Sequence, residues 1–259
     1  MALNDKTAVV TGAAMGIGRA ITEILLKNGT NVVLLDVNEG AGKSLKETLD
    51  TQFGKDKSMF LSCNVESEEQ VKAAFQKTIQ KFGRIDILCN NAGILNEVEW
   101  RRAISINLVS VVAASFLALE HMNKLKGGSG GHIINMASLS GLAAFPNEPV
   151  YVATKHGVVG FTRSMALASS ISGYGVRFNA VCPGFVQTTI FDKLPAGLGQ
   201  FSHLYDYTTP LLERVGMMQP SVVAEAVLEL VMDETKDGQA VMVMPNERKY
   251  VTFPAVEDL

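Results

Sequence analysis

Tyr151 and Lys155 are the residues whose types and spacing most directly suggest chemistry. They lie four residues apart in the segment NEPVYVATKHGVVGF, residues 147–161, so on a helix both side chains lie on one face. A phenol with a pKa near 10 is a poor base at neutral pH, but a nearby ammonium group favours the phenolate by charge and hydrogen bonding. The pair therefore predicts a general base for an alcohol proton, with Lys155 lowering the pKa of Tyr151. Because such a pair also occurs by accident on helix surfaces, the prediction depends on the residues around it.

Two more polar residues are expected beside this pair. Ser138 ends the segment GHIINMAS, where its hydroxyl could hold a substrate oxygen next to Tyr151. Glu148 lies three residues before Tyr151, on the same side of the helix. An ionised Glu148 could accept the hydrogen bond of an alcohol but would raise the pKa of Tyr151, whereas a desolvated one would be protonated and behave like a neutral amide. The alternative is a solvent-facing carboxylate that interacts with the dipole at the start of the helix.

The segment TGAAMGIG, residues 11–18, predicts a phosphate-binding turn between a strand and a helix. Three glycines, Gly12, Gly16 and Gly18, let the backbone approach a pyrophosphate, and the helix start offers free N–H groups. Asp36 ends the second strand, where a carboxylate can bind both hydroxyls of an adenosine ribose and would repel a 2′-phosphate. The pattern therefore favours NAD over NADP. The alternatives are a glycine-rich turn without a ligand and an Asp36 that serves as a helix N-cap.

The segment NNAG, residues 90–93, closes the fourth predicted strand. Ligands of open α/β sheets bind outside the carboxyl ends of the parallel strands, so Asn91, Ala92 and Gly93 are candidates for cofactor contact. A plain turn explains the same residue types, since Asn and Gly both accept unusual backbone angles. The sequence leaves the two interpretations even.

The elements that must position these residues alternate along the chain. The runs that predict strands are TAVVTG, NVVLLD, MFLSCNV, IDILCNNAG, GHIINMAS, VRFNAVCPG and QAVMVM. Helical patterns lie between them, including a long one near 100–124, the one that carries Tyr151, and PSVVAEAVLELVMDE near the end. Short apolar strands separated by helices predict a parallel sheet covered on both faces. We therefore expect an α/β fold, a single-domain Rossmann-type doubly wound parallel sheet over residues 1–259.

The segment 185–220 is the least regular part of the chain and predicts a lid over the substrate. Its Met-rich GMMQP and its large side chains could form an apolar pocket wall, although packing against the domain explains them equally well. The large side chains are Phe185, Phe191, Phe201, Leu204, Tyr205 and Tyr207.

Composition excludes several other functions. The net charge of −3 and the absence of basic blocks argue against nucleic acid and against an anionic membrane surface. The three scattered cysteines lack a CxxC pair, which predicts buried free thiols in a reducing compartment, and the histidines show no metal spacing. The chain begins without a signal-like segment, and its longest apolar stretch, near 109–119, contains Ser110 and Ser115 and is predicted to be too short for a bilayer. We expect a cytoplasmic protein without stable membrane insertion and without a metal.

The motifs together resemble the short-chain dehydrogenase/reductase family over nearly the whole chain. TGAAMGIG, Asp36, NNAG, Asn107, Ser138 and YVATK stand in the family's order and spacing. The resemblance implies that Tyr151 is the catalytic base, that Lys155 binds the nicotinamide ribose and lowers the pKa of Tyr151, and that Ser138 orients the substrate. It also implies that Asn107 supports a proton relay to water.

The resemblance further implies where the cofactor lies. PGFVQT, residues 183–188, is similar to the family segment that contacts the carboxamide end of the nicotinamide, and Asn64 stands near the adenine where the family usually has Asp. The full set of expected NAD contacts is Gly12, Ala14, Met15, Gly16, Ile17, Gly18, Asp36, Val37, Cys63, Asn64, Val65, Asn91, Ala92, Gly93, Tyr151, Lys155, Pro183, Gly184, Val186 and Thr188.

Longer segments are similar to one branch of this family, whose members oxidise the 15-hydroxyl of prostaglandins with NAD as homodimers. These segments are TGAAMGIGRA, FGRIDILCNNAG, INLVSV, GFTRS and CPGFV. Glu148 departs from that branch, which has Gln at this position. The resemblance implies NAD-linked oxidation of a prostaglandin or a related hydroxy fatty acid, with Ser138, Glu148, Tyr151 and Phe185 at the substrate. Other expectations are a dehydrogenase for another apolar alcohol, such as a steroid, retinoid or aliphatic one, and an NAD-sensing protein without turnover.

Overall fold

The computed structural model describes residues 3–192 and 194–254 and shows a single α/β domain built around one eight-stranded sheet. The strand order is β3-β2-β1-β4-β5-β6-β7-β8. The strands are β1 (Thr7–Thr11), β2 (Asn31–Asp36), β3 (Ser58–Ser62), β4 (Ile87–Asn90), β5 (Gly131–Met136), β6 (Val176–Pro183), β7 (Ala240–Met244) and β8 (Glu247–Tyr250). All neighbouring pairs from β3 to β7 are parallel, which confirms the predicted doubly wound fold.

Helices cover both faces of the sheet. The α-helices are α1 (Gly16–Lys27), α2 (Glu39–Phe53), α3 (Glu68–Phe82), α4 (Trp100–Ile104), α5 (Ser110–Met122), α6 (Pro149–Ser172), α7 (Thr189–Asp192), α8 (Leu194–Gly197), α9 (Thr209–Val215) and α10 (Pro220–Met232). One apolar core lies among α1, α2, α10 and the sheet, and a second lies among α3, α5, α6 and the opposite face. Adjacent residues of β1 face different cores: Val10 lies in the first core and Val9 in the second. This follows because successive side chains of a strand point to opposite faces of the sheet.

Two sequence expectations need correction. β8 was not predicted, and it pairs antiparallel with β7, so the sheet is parallel except at this edge. The apolar stretch near 109–119 belongs to a continuous helical run, Trp100–Met122, of 23 residues and mean hydropathy 1.9, so the argument that it is too short for a bilayer was wrong. In the structure 56% of the most apolar 18-residue stretch of this run is buried inside the protein, as in the core helix of a packed domain.

The segment 185–220 is more regular than the sequence suggests. It contains α7, α8, a ten-residue 3₁₀ segment at Gly199–Thr208, and α9. Its two ends meet in a parallel bridge between Val186 and Met218, with the Met218 N–H donating to the Phe185 carbonyl at 2.9 Å. The segment is therefore a loop closed at its base, and it departs from the carboxyl end of β6.

Candidate active site

The turn between β1 and α1 is shaped for the close approach of a ligand. Gly12 and Gly16 have positive φ angles of 61° and 54°, which side chains rarely accept. A Cβ at Gly18 would lie 2.0 Å from the Gly12 carbonyl oxygen, so only glycine lets α1 pack against the turn. Within the described residues no side chain caps the start of α1, where Met15 is the N-cap residue, so its first N–H groups can bind an anion.

The segment NNAG braces this turn. The Asn91 side-chain amide donates to the carbonyl oxygens of Thr11 and Gly12 at 2.9 and 3.1 Å. The Thr11 hydroxyl in turn accepts the backbone N–H groups of Asn91 and Ala92, both at 3.0 Å. These hydrogen bonds join the end of β4 to the glycine turn between β1 and α1. A turn that only connected β4 to the next element would not need them.

Asp36 lies at the carboxyl end of β2, buried and oriented by backbone donors. Its two oxygens accept the N–H groups of Ala14 and Asn38 at 2.9 and 2.8 Å. A carboxylate has about four acceptor positions, so one on each oxygen remains for a ribose hydroxyl. The alternative of a helix N-cap does not hold, because Asn38 is the N-cap residue of α2 and its side chain accepts from Ala41.

These residues and the catalytic candidates surround one cleft of about 350 Å³. Of the expected NAD contacts, Ala14 and Gly18 alone do not line it, and they support Asp36 and the turn instead. The expected contacts that line the cleft are Gly12, Met15, Gly16, Ile17, Asp36, Val37, Cys63, Asn64, Val65, Asn91, Ala92, Gly93, Tyr151, Lys155, Pro183, Gly184, Val186 and Thr188. Ser138, Glu148 and Phe185 line it as well.

Tyr151, Ser138 and Lys155 all line the cleft, and Ser138 is a side-chain hydrogen-bond partner of Tyr151. The ammonium of Lys155 is 5.4 Å from the centroid of the Tyr151 ring and donates to the Met136 carbonyl at 2.8 Å. Burial lowers the pKa of Lys155 to about 8. Burial also raises the pKa of Tyr151 above its usual range, the nearby Glu148 raises it further, and the bond with Ser138 opposes the shift. The predicted lowering by Lys155 is not among the causes of the shift in this structure.

Glu148 is buried in the cleft and does not face solvent, which removes the alternative of an exposed carboxylate. The Ser140 hydroxyl donates to its Oε1. Burial raises the pKa of Glu148 to about 7, the Ser140 bond lowers it, and the charge of Glu97 raises it. Glu148 is therefore near the midpoint of its titration at neutral pH, and Ser140 is a partner that sequence reasoning did not identify.

Asn107 occupies a π-helical turn, Ser105–Val109, between α4 and α5. Its side chain is fully buried and bonds to the backbone of Ile94 in both directions at 2.8 Å, with a further donation to the Thr154 hydroxyl at 3.3 Å. It lies beside the cleft and is not among the described residues that line it. Asn107 thus fixes the segment that follows NNAG, and the predicted proton relay stays a prediction.

Glu97 is a functional candidate that sequence reasoning missed. Its carboxylate accepts the backbone N–H groups of Val150 and Tyr151, at 3.1 and 2.9 Å, and so caps the start of α6. Its own N–H donates to the Gly197 carbonyl of the lid segment at 2.7 Å. Glu97 therefore connects the lid segment to the first turn of the helix that carries Tyr151. No local pattern marks it, because its side-chain partners lie more than 50 residues away.

Among the predicted large side chains of the lid segment that the structure describes, Phe185 lines the cleft. It does so together with Val186, Thr188, Thr189, Ile190 and Thr208. Phe201 and Leu204 are half-buried elsewhere, while Tyr205 and Tyr207 are exposed. The side chain of Phe191 lies outside the described residues. In GMMQP, Met218 packs in the first core and Met217 is exposed, and neither is among the described residues that line the cleft.

Of the three cysteines, Cys63 lines the cleft, whereas Cys89 and Cys182 are not among the described residues that line it. Cys63, Cys89 and Cys182 are free and buried, as predicted, and burial raises the pKa of each thiol. Among the described residues, no group of three or more His, Cys, Asp or Glu side chains is arranged to hold a metal ion.

Known proteins resemble this chain over most of its length. Residues 6–198 match the short chain dehydrogenase family. The chain is 45% identical over 240 residues to the 15-hydroxyprostaglandin dehydrogenase (NAD(+)) of Homo sapiens, covering 92% of this chain and 90% of that protein. It is 41% identical over 261 residues to the enzyme of the same name from Rattus norvegicus, covering 98% of each. The 3beta-hydroxysteroid dehydrogenase 2 of Eggerthella lenta is 37% identical over 197 residues, covering 73% of this chain and 74% of that protein.

Proposed function

This chain belongs to the short-chain dehydrogenase family, and we propose that it oxidises the 15-hydroxyl of prostaglandins or related hydroxy fatty acids to a ketone with NAD. The observation that carries the proposal is the shared cleft: Ser138, Tyr151 and Lys155 lie in the same cavity as the glycine turn and Asp36. The names and identities of the prostaglandin relatives support the choice of substrate and cofactor.

The residues of the cleft fit a dinucleotide. Gly12 and Gly16 leave a cradle that side chains would fill, since a Cβ at Gly12 would lie 2.9 Å from the Ala92 Cα. We infer that the free N–H groups at the start of α1 hold the pyrophosphate and that Asp36 binds the adenosine ribose. Lys155 would donate to the second ribose, near Gly93, where a Cβ would approach the Lys155 Nζ to 3.5 Å.

The side chains of this protein then position a hydroxyl and receive its proton. Ser138 donates a hydrogen bond to the substrate oxygen, and Tyr151 takes the hydroxyl proton as the general base. When bound, NAD(+) supplies the hydride acceptor and a positive charge, which favours ionisation of a nearby phenol. Lys155 adds a second positive charge 5.4 Å from the phenol ring. The cofactor charge would oppose the effect of burial on the pKa of Tyr151, whereas the Lys155 charge is not among the causes that shift this pKa in the structure.

The substrate end of the cleft suits a long apolar molecule. Side chains of Ile94, Leu95, Leu139, Phe145 and Phe185 line it beside the polar centre. Burying alkyl surface there contributes about 0.8 kcal/mol per methylene group, enough for a lipid chain to bind without a charged anchor. The same lining would accept other apolar alcohols, and the steroid dehydrogenase relative favours a steroid as the second candidate.

We propose that the protein works as a homodimer in the cytoplasm. Large apolar side chains are exposed on two neighbouring parts of the helical layer: Val109 and Phe116, seven residues apart, and Leu167 and Ile171, four residues apart. Side chains at these spacings share a helix face, and a second copy of the chain would cover them. Sedimentation of the wild type and of Ile171→Glu tests this, and a monomeric wild type would contradict it.

Formation of NADH at 340 nm tests the proposed reaction across a panel of prostaglandin E2, monohydroxy fatty acids, steroids and retinol. We expect prostaglandin E2 to give the highest kcat/KM, and Tyr151→Phe to reduce it by roughly 10²–10⁴-fold through loss of the base. Tyr174→Phe, which changes a half-buried tyrosine in the turn before β6 and outside the cleft, is the matched control. Nucleotide binding without turnover of any alcohol would indicate a sensor and refute the proposal.

A further inference from the structure

Asn147 is the most unusual polar residue of the cleft. Its side chain is fully buried, yet neither Oδ1 nor Nδ2 has a hydrogen-bond partner in the described protein. Among the described residues, no other side chain has two buried polar atoms unpaired, and no other residue with an unpaired buried atom lines the cleft. Leaving an amide unpaired in a buried place costs stability, so such a group points to a function.

Ser138, Ser140 and Glu148 each have a side-chain hydrogen-bond partner in the described part of the chain, whereas the amide of Asn147 has none. Ser140 donates to Glu148, Ser138 is bonded to Tyr151, and the Ser138 hydroxyl also accepts the Ser140 N–H at 3.1 Å. Ser138 and Tyr151 already serve the reacting hydroxyl in the proposed mechanism. Asn147 is therefore available for a different group of the same substrate.

The chemistry of an amide restricts what that group is. Nδ2 offers donors and Oδ1 offers an acceptor, so one ligand hydroxyl can accept from the first and donate to the second. A ketone or a carboxylate would satisfy the donor and leave Oδ1 unpaired. An alkyl chain would satisfy neither atom. A site that buries unpaired polar groups rejects an analogue lacking the matching group more strongly than an apolar pocket does.

We propose that Asn147 is a specificity-determining residue that hydrogen-bonds a second, non-reacting hydroxyl of the substrate. The inference rests on the proposed function and sharpens it: the preferred substrates are lipid diols, of which one hydroxyl is oxidised and the other is held by Asn147. Monohydroxy lipids of similar length bind the same apolar lining but leave the amide unpaired.

The experiment compares two substrates and two proteins. Prostaglandin E2 carries one hydroxyl besides the reacting one, and 11-deoxy prostaglandin E2 lacks only that hydroxyl. We expect the wild type to favour prostaglandin E2 by roughly tenfold or more in kcat/KM, the value of one or two hydrogen bonds. Asn147→Leu, of nearly the same size, should lower kcat/KM for prostaglandin E2 by a similar factor, mainly through KM, and change the deoxy substrate by less than about threefold.

Thermal unfolding separates recognition from a structural role. Because Asn147 makes no side-chain bond within the described protein, Asn147→Leu should unfold at the same or a higher temperature. Asn135→Leu is the matched control: Asn135 is equally buried but bonded to Asn90 and Thr162, both at 2.9 Å, and its loss should lower the unfolding temperature. Asn147→Ala gives the same readout without added bulk if the leucine variant does not fold.

The outcomes distinguish this inference from the proposed function. Equal losses on both substrates, or a large fall in unfolding temperature for both Asn147 variants, would overturn the role of Asn147. A wild type that does not discriminate between the two prostaglandins would overturn it as well. A wild type that oxidises neither prostaglandin but oxidises another lipid would overturn the proposed substrate, and a diol preference among the lipids it does oxidise would then support Asn147 independently.

Discussion

Replacing Glu148 with Gln should remove a loss of stability that the wild type suffers as the pH rises. Burial and the charge of Glu97 raise the pKa of Glu148 from 4.5 to about 7 in the folded protein. A carboxyl group whose pKa is higher in the folded than in the unfolded protein stabilises the folded state at a pH below its unfolded pKa. This stabilisation is lost as the pH rises through the folded pKa. The amide that replaces the carboxyl group in the variant stays neutral, so this pH dependence disappears with it.

The magnitude follows from the two values. The difference between 4.5 and about 7 corresponds to about 3 kcal/mol at 1.36 kcal/mol per pH unit. About 2 kcal/mol of it accrues between about pH 5.5 and about pH 8. For a chain of this size each kcal/mol shifts the unfolding temperature by about 2–4 °C, so we expect the variant to gain roughly 4–8 °C on the wild type over this interval.

Thermal unfolding at both pH values, at one protein concentration and without nucleotide, measures this gain. Glu47→Gln removes an exposed carboxylate from α2 and should follow the wild type at both pH values. The reasoning is refuted if Glu148→Gln and the wild type lose stability in parallel as the pH rises. A variant that is less stable than the wild type at pH 8 would show that the Ser140 bond outweighs the burial of charge.

Three further changes test the rest of the cleft. Asp36→Ala removes the acceptor for the adenosine ribose and the repulsion of a 2′-phosphate, so the ratio of kcat/KM for NAD to that for NADP should fall roughly tenfold or more; an unchanged ratio would remove Asp36 from cofactor selection. Glu97→Ala should cost about 0.5–2 kcal/mol in urea unfolding by uncapping α6 and should lower kcat, whereas Glu97→Gln keeps one acceptor and should lose less. Gly18→Ala should weaken NAD binding and lower the unfolding temperature, because its Cβ would meet the Gly12 carbonyl; Gly40→Ala, which meets no atom closer than 3.8 Å, should do neither.

The parts of the site that could be predicted from the sequence are those whose positions are determined by residues close together in the chain. The glycines of the first turn and Asp36 are set by a strand, a turn, a helix and the next strand, which together span Thr7 to Asp36. Tyr151 and Lys155 are set by one helix. Each of these motifs carries its own geometry, so the sequence indicates both the element and the direction of its side chains.

The parts that could not be predicted depend on contacts between distant segments. Glu97 and Asn147 lie in irregular connections, where no periodicity shows which way a side chain points. Whether Glu97 meets the start of α6, and whether Asn147 finds a partner, is decided by how those connections pack. The pKa of Tyr151 belongs to the same class, since burial dominates it and burial emerges from the complete fold.

The last described strand, β8, has a consequence for the solubility of the folded protein. β7 reads AVMVM, and without a neighbour it would end the sheet in an apolar edge able to pair with another chain. β8 covers that edge with Glu247, Arg248 and Lys249, all exposed, and Arg248 is anchored by ion pairs to Glu225 and Glu229. A chain shortened before Glu247 would keep the catalytic cleft but expose a strand that favours intermolecular β-sheet, and it should aggregate on expression.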